Sequence, residues 1–285
     1  MSAQRSPLSN TPLSALRSTA FGPGPFLLAG PCVVEDDRLN LTVAEHLAKV
    51  AQALQLPVIF KASYDKANRS RLGAARGPGV EEGLAALARV RAATGLPILT
   101  DVHDASQVAP AAEVADVLQV PAFLCRQTDL LLAVGAAGRA VNVKKGQWMS
   151  PEGMAGALEK VRSAGATQVA VTERGSFFGY GDLVVDMRSF ARLREACRAP
   201  VVFDATHSVQ QPGKGAEGAS GGLRECIPPL LYAAAAAGAD GFFLETHPDP
   251  DHAPSDGPNM LPLAELEGVL RRALDVWHAA RDGAR

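Results

Sequence analysis

PVVFD, residues 200–204, is a short apolar run that opens on a proline, ends on a carboxylate and leads into Ala-Thr-His at 205–207. A proline at the first residue of a strand costs little, so Pro200 marks a start and not an interruption. Seven other runs have the same character: FLLA (26–29), PVIFK (57–61), PILTD (97–101), DVLQV (116–120), AVNVK (140–144), QVAVT (168–172) and GFFLE (241–245). Each reads as a strand.

Helix-like stretches lie between them. Within 41–55, Val43, Leu47, Val50 and Leu54 fall on one stripe, which is helical spacing. A second helix is predicted over 80–94, ending at Gly95. A third, near 151–164, begins Ser150-Pro151-Glu152, a cap followed by proline at the first helical position. Eight strand–helix pairs in about 260 residues, with no long linker, predict one (β/α)8 barrel. The barrel is expected to fill residues 26–285 as a catalytic domain, with 1–25 as an N-terminal tail or barrel cap. No G-x-G-x-x-G follows a strand, so an open dinucleotide-binding sheet lacks its fingerprint.

The composition supports a large core, with 47% hydrophobic and 20% charged residues. The formal net charge is −2 and the basic residues are spread along the chain, which argues against a broad nucleic-acid surface. Four separated cysteines, Cys32, Cys125, Cys197 and Cys226, fit a reducing compartment. No apolar run approaches the roughly 18 residues of a membrane helix. The first residues, MSAQRSPLSNTPLSALRSTA, lack the apolar core of a secretory signal, so a cytoplasmic location is expected.

In a barrel of this kind the chemistry sits at the C-terminal ends of the strands. The runs lead in turn to Gly30-Pro31-Cys32, Lys61-Ala62-Ser63, Asp101-Val102-His103, Gln119, Asn142-Val143-Lys144-Lys145, Glu173-Arg174, Asp204-Ala205-Thr206-His207 and Glu245. A purely structural barrel has no need of this, because buried polar groups cost free energy unless paired. Two chemical sets emerge. Cys32, His207, Glu245 and Asp256 offer a thiolate, an imidazole and two carboxylates, which suit a divalent transition metal better than magnesium or calcium. Lys61, Lys66, Lys144, Arg174, Arg69 and Arg71 offer cations for anionic groups.

Bland readings compete. A cysteine after a strand is most often a small packing residue. His247 shares the phase of Glu245, yet Pro248 turns the chain away. Of the neighbours Lys144 and Lys145 only one is expected to point inward, and Lys144 shares the phase of Asn142. Asp116 and Asp240 begin strands and belong at the opposite, stability face. Cys125, Cys197 and Cys226 have no ligand pattern nearby.

At these motifs the chain resembles the 3-deoxy-D-manno-octulosonate 8-phosphate synthases. The resemblance is carried by LLAGPCVVED (27–36), FKASYDKANRS (60–70), RGPGVEEGL (76–84), LTDVH (99–103), LQVPAFLCRQTDLL (118–131), VNVKKGQ (141–147), TERG (172–175), LVVDMRS (183–189), DATHSVQ (204–210), GADGFFLETHPDP (238–250) and SDGPNML (255–261). It runs in matching order over nearly the whole barrel, and KANRS is its most specific piece.

The resemblance implies condensation of phosphoenolpyruvate with arabinose 5-phosphate, releasing inorganic phosphate. Members with asparagine at the position of Cys32 need no metal; cysteine here, with Ser255 before Asp-Gly, resembles the metal-dependent class. The resemblance assigns Cys32, His207, Glu245 and Asp256 to the metal, with zinc, iron, manganese and cobalt all admissible. It assigns Lys66, Lys144, Arg174 and nearby Lys61 to phosphoenolpyruvate, and Asn68, Arg69 and Ser70 to the sugar phosphate. Ser63 and Gln119, at strand ends, join the substrate-binding set. The family shares its sugar-phosphate site between subunits, which implies a homo-oligomer, often a tetramer. Asp101, His103 or His207 is expected to move protons. Arg71, Ala75 and Gly-Tyr-Gly-Asp (179–182) depart from the family pattern and bear on sugar selection. Rival readings are the related heptulosonate synthase acting on erythrose 4-phosphate, a non-catalytic sugar-phosphate sensor, and a class II aldolase, for which the histidine-rich ligation is missing.

Overall fold

Each predicted run forms a strand in the computed structural model, which describes residues 20–68, 73–179, 181–215 and 220–282. The strands are β1 (Phe26–Gly30), β2 (Val58–Lys61), β3 (Ile98–Asp101), β4 (Val117–Val120), β5 (Ala140–Lys144) and β6 (Val169–Glu173). A small hairpin follows, β7 (Ser176–Gly179) and β8 (Asp182–Val184), and then β9 (Val201–Asp204). A second small pair is β10 (Gln210–Gln211) and β11 (Gly221–Gly222), before β12 (Gly241–His247) and the short β13 (Leu261–Pro262). Strands β1 to β6, β9 and β12 pair in parallel in that order, and β12 also pairs with β1. The sheet is therefore a closed eight-stranded barrel.

The prolines at 57, 97 and 200 stand just outside the ladders, but their carbonyls accept hydrogen bonds from Leu27, Phe60 and Val171 of the adjacent strands. The opening prolines thus give up a donor and keep their acceptor.

Helices α1 (Asp37–Leu54), α2 (Val80–Thr94), α3 (Val108–Val114), α4 (Thr128–Ala136), α5 (Ala155–Ser163), α6 (Ser189–Cys197), α7 (Ile227–Ala237) and α8 (Leu266–Asp282) alternate with the barrel strands. The helix predicted from residue 41 starts four residues earlier, because the Asp36 side chain accepts from Leu39 N and caps the first turn. The segment near 151 opens as a 3₁₀ turn at Glu152–Met154 before α5, with Ser150 Oγ accepting from Gly153 N.

Two apolar layers hold the barrel. Phe26, Leu28, Ile59, Leu99, Val117, Ala140, Ala170, Val202 and Phe243 fill its interior. A larger shell, including Leu47, Leu87, Leu118, Val143, Leu231 and Leu270, joins strands to helices. At the N-terminal end, Asp116 accepts from Ile98 N and Asp240 from Val201 N, so both carboxylates bond backbone at strand starts. Gly30 closes β1 where nothing larger fits, since a Cβ there would stand 2.1 Å from the Lys61 carbonyl oxygen. The expected tail over 1–25 falls, up to residue 19, outside the described residues.

Candidate active site

Side chains alternate faces along a strand, and every barrel strand but β1, which ends in Gly30, passes from apolar to polar in one such step. Two residues beyond Ile59, Leu99, Val117, Ala170, Val202 and Phe243 come Lys61, Asp101, Gln119, Thr172, Asp204 and Glu245. On β5, Ala140 is followed by Asn142 and then Lys144. A polar layer therefore lies over the apolar interior at the C-terminal end of the barrel. It floors a cavity of about 720 Å³ whose walls include Lys66, His103, Arg174 and His207.

Part of this layer is a hydrogen-bonded arc. Ser63 Oγ donates to Asp101 Oδ2, and Gln119 Nε2 donates to Asp101 Oδ1 at 2.6 Å. Asn142 Nδ2 donates to Gln119 Oε1 at 2.8 Å, and Thr172 Oγ1 to Asn142 Oδ1 at 2.8 Å. All five side chains are buried. Burial pushes the Asp101 carboxyl up, but Lys61, Lys66 and Lys144 outweigh it and hold the group well below the usual carboxylate range. The ionised form of Asp101 is thus favoured.

The cations divide into paired and open groups. Lys61 Nζ donates to Glu245 Oε1 at 2.7 Å and to the Cys32 carbonyl at 3.0 Å. Lys144 Nζ donates to Asp204 Oδ2 at 2.7 Å and lies 3.6 Å from the centroid of the Phe243 ring. Arg174 has no carboxylate within salt-bridge distance among the described residues. Its Nη2 donates to Gln210 Oε1 at 2.6 Å, and its Nη1 is buried without a partner. A buried guanidinium with an open donor at a cavity wall is prepared for an oxyanion. Lys66 is more loosely paired, with its Nζ 3.9 Å from Glu245 Oε1.

Beside these cations stands a ligand group. One side-chain atom each from Cys32, Glu245 and Asp256 lies within 4.8 Å of the other two. Cys32 Sγ donates to Asp256 Oδ2 at 3.1 Å, and Glu245 Oε2 is buried with no hydrogen-bond partner. His207 stands at the edge of this group, with Nε2 3.8 Å from Glu245 Oε1. Its Nδ1 lies 2.8 Å from Asp204 Oδ2, an arrangement that leaves Nε2 to face the ligand group. Burial and the nearby Glu245 charge raise the Cys32 thiol well above its ordinary value, so an ion must displace its proton. Asp256 has left-handed backbone (φ 55°), and its half-buried carboxyl is held below the usual range by His207 and Lys66. An orphaned carboxylate oxygen, a thiol and an oriented imidazole are compatible with a divalent transition metal.

Other expectations resolve differently. Lys145 turns away from the cavity and is buried 3.4 Å from Glu173 Oε1, so Lys144 is the inward member of the pair. His247 joins no ligand group among the described residues and lies 3.4 Å from Glu35 Oε1. Asn68 lines the cavity. Ser63 and Gln119 sit in the buried layer below it, bonded to Asp101. Arg69, Ser70 and Arg71 lie outside the described residues. Cys125, Cys197 and Cys226 are free thiols away from the ligand group.

Asp204 and Gln210 lie outside the expected site set and are built into it, as are Asn142 and Thr172 of the buried arc. Asp204 carried a visible signal, since it ends an apolar run in phase with Val202. Gln210 carried none beyond its place in a shared motif, because its partners come from other strand ends.

A protein of Bradyrhizobium sp. strain BTAi1 is 55% identical over 87% of this chain and 86% of its own length. One of Syntrophobacter fumaroxidans is 54% identical over 90% and 88%. One of Nitrobacter winogradskyi is 52% identical over 98% of both. All three bear the name 2-dehydro-3-deoxyphosphooctonate aldolase. The description of the DAHP synthetase I family matches residues 12–278, nearly the whole length over which the barrel and its polar mouth are built, and the chain belongs to that family.

Proposed function

We propose that this chain condenses phosphoenolpyruvate with D-arabinose 5-phosphate and water, giving 3-deoxy-D-manno-octulosonate 8-phosphate and inorganic phosphate. The product would supply the Kdo sugar of lipopolysaccharide. The names carried by the relatives support this reading over the heptulosonate alternative. The observation that carries it in the structure is the unpartnered Arg174 Nη1 in the wall of a cavity that Asp256, of the Cys32–Glu245–Asp256 group, also lines.

In this reading Arg174, Lys66, Lys144 and Lys61 neutralise the carboxylate and phosphate of phosphoenolpyruvate. Its C3 then attacks the aldehyde carbon of the sugar phosphate, held by Asn68 with Arg69 and Ser70. Water adds at C2, and phosphate leaves with cleavage of the C–O bond. Holding two anions in line supplies roughly 7–11 kcal/mol of the barrier. Asp101, held below the usual carboxylate range by its lysines, favours the ionised form and would accept a proton sooner than donate one. His103 is the other group that would move protons, and His207 would do so only with its Nε2 off the ion. The His103 ring meets Tyr64 edge-on at 6.0 Å and its Nδ1 is buried without a partner. A divalent ion held by Cys32, His207, Glu245 and Asp256 would supply Lewis-acid polarisation of the aldehyde or of water.

We further propose a cytoplasmic homo-tetramer. Supporting observations are the free cysteines and the exposed, stacked Phe123 and Trp148 rings. Among the described residues no helix is long and apolar enough to cross a membrane.

The test offers both aldehydes at equal concentration with limiting phosphoenolpyruvate and weighs the products by mass spectrometry. The eight-carbon phosphate is expected to dominate. A seven-carbon product would move the chain to the heptulosonate reaction, and no product with either aldehyde would leave the sensor reading.

A further inference from the structure

Gln210 stands on β10, whose partner strand β11 places Gly222 opposite it. A Cβ on Gly222 would lie 1.5 Å from Asn259 Oδ1, so this hairpin packs hard against the turn that follows Asp256. The backbone of Gln210 is therefore set by the same turn that presents Asp256.

Its side chain is fixed at both ends. Oε1 accepts from Arg174 Nη2 at 2.6 Å, and Nε2 donates to Asp256 Oδ1 at 2.9 Å. The amide has one productive orientation, because a guanidinium can only donate and an ionised carboxylate can only accept. Asp256 Oδ2 is already taken by Cys32 Sγ and by Ser255 Oγ at 2.7 Å. Gln210 is thus the contact that orients the other oxygen. One amide joins the open cation of the site to a member of its ligand group.

We infer that Gln210 is a positioning residue that couples ion binding at the Cys32–Glu245–Asp256 group to anion binding at Arg174. An ion drawing on Asp256 fixes the Gln210 amide, and the amide fixes the guanidinium in the direction that leaves Nη1 open. The reverse follows by linkage, since coupling between two ligands is reciprocal. The inference rests on the proposed reading that Arg174 receives phosphoenolpyruvate.

The experiment measures the dissociation constant of zinc ion by competition with a chromophoric chelator, with and without saturating phosphoenolpyruvate. The dissociation constant of phosphoenolpyruvate is measured by calorimetry on the ion-free and zinc-loaded protein. In the wild type each ligand is expected to tighten the other by the same factor, roughly fivefold or more. In Gln210→Leu, which keeps bulk and removes both hydrogen bonds, that factor is expected to fall to within about twofold of unity. Gln210→Glu, which can still accept from Arg174 but opposes Asp256, is expected to lose it as well. A residue that only supports the fold would shift both affinities and leave their ratio alone. Coupling that persists in both variants, or a wild type that binds both ligands independently, overturns the inference and spares the proposed reaction. A wild type that binds zinc and no phosphoenolpyruvate overturns the reaction itself.

Discussion

Cys32→Ala is expected to abolish ion-dependent turnover while leaving a folded barrel. Cys32 is buried and its Sγ meets Asp256 Oδ2, so the substitution removes one small atom from the ligand group and no backbone contact. The stability cost should stay near the ordinary value for a point change, about 1 kcal/mol. The effect on ion binding is far larger, because in the proposed site the sulfur is the only soft ligand among oxygens and an imidazole. Removing an outer partner of a ligand typically costs roughly 10–100-fold in affinity or activity, and removing the ligand itself should exceed that range. Chelator competition measures the affinity, and phosphate release at saturating ion measures the turnover. Full activity of the variant in excess chelator would reduce Cys32 to a packing residue.

Asp204→Ala should damage both stability and chemistry. Asp204 is fully buried, and its two oxygens hold Lys144 Nζ, His207 Nδ1 and His207 N. Burial opposes its charge, yet His207 and Lys144 hold the carboxyl far below the ordinary range. Without it the Lys144 ammonium stays in the barrel with no ion pair, and breaking a buried pair from one side costs roughly 3–5 kcal/mol. His207 loses the acceptor that aims its Nε2, which should lower ion affinity by roughly 10–100-fold. Asp204→Asn keeps the volume and one acceptor oxygen, so it should recover part of the stability and little of the affinity. Denaturant unfolding and chelator competition separate the two effects. A loss below about 1 kcal/mol in Asp204→Ala would mean that Lys144 finds another partner.

The barrel was legible because its strands announce themselves twice, by an apolar run and by the polar residue that ends it. Ile59 before Lys61 and Val202 before Asp204 show the inward face continuing from core to cavity, which is period two read along one strand. The same periodicity separated Lys144 from Lys145. Contacts across the barrel were not legible. That Lys61 meets Glu245, Lys144 meets Asp204 and Arg174 meets Gln210 depends on the closed register of the eight strands and on the loops above them. No local pattern encodes those pairings. The start of α1 escaped for a smaller reason, since the cap at Asp36 precedes the apolar stripe that marks the helix.

The most direct test follows phosphate release from phosphoenolpyruvate and arabinose 5-phosphate by the wild-type protein as isolated, after chelation, and after a divalent ion is returned. Turnover that chelator removes and the ion restores is the expected result. Turnover that survives exhaustive chelation would contradict it and leave the Cys32–Glu245–Asp256 group without a part in the reaction.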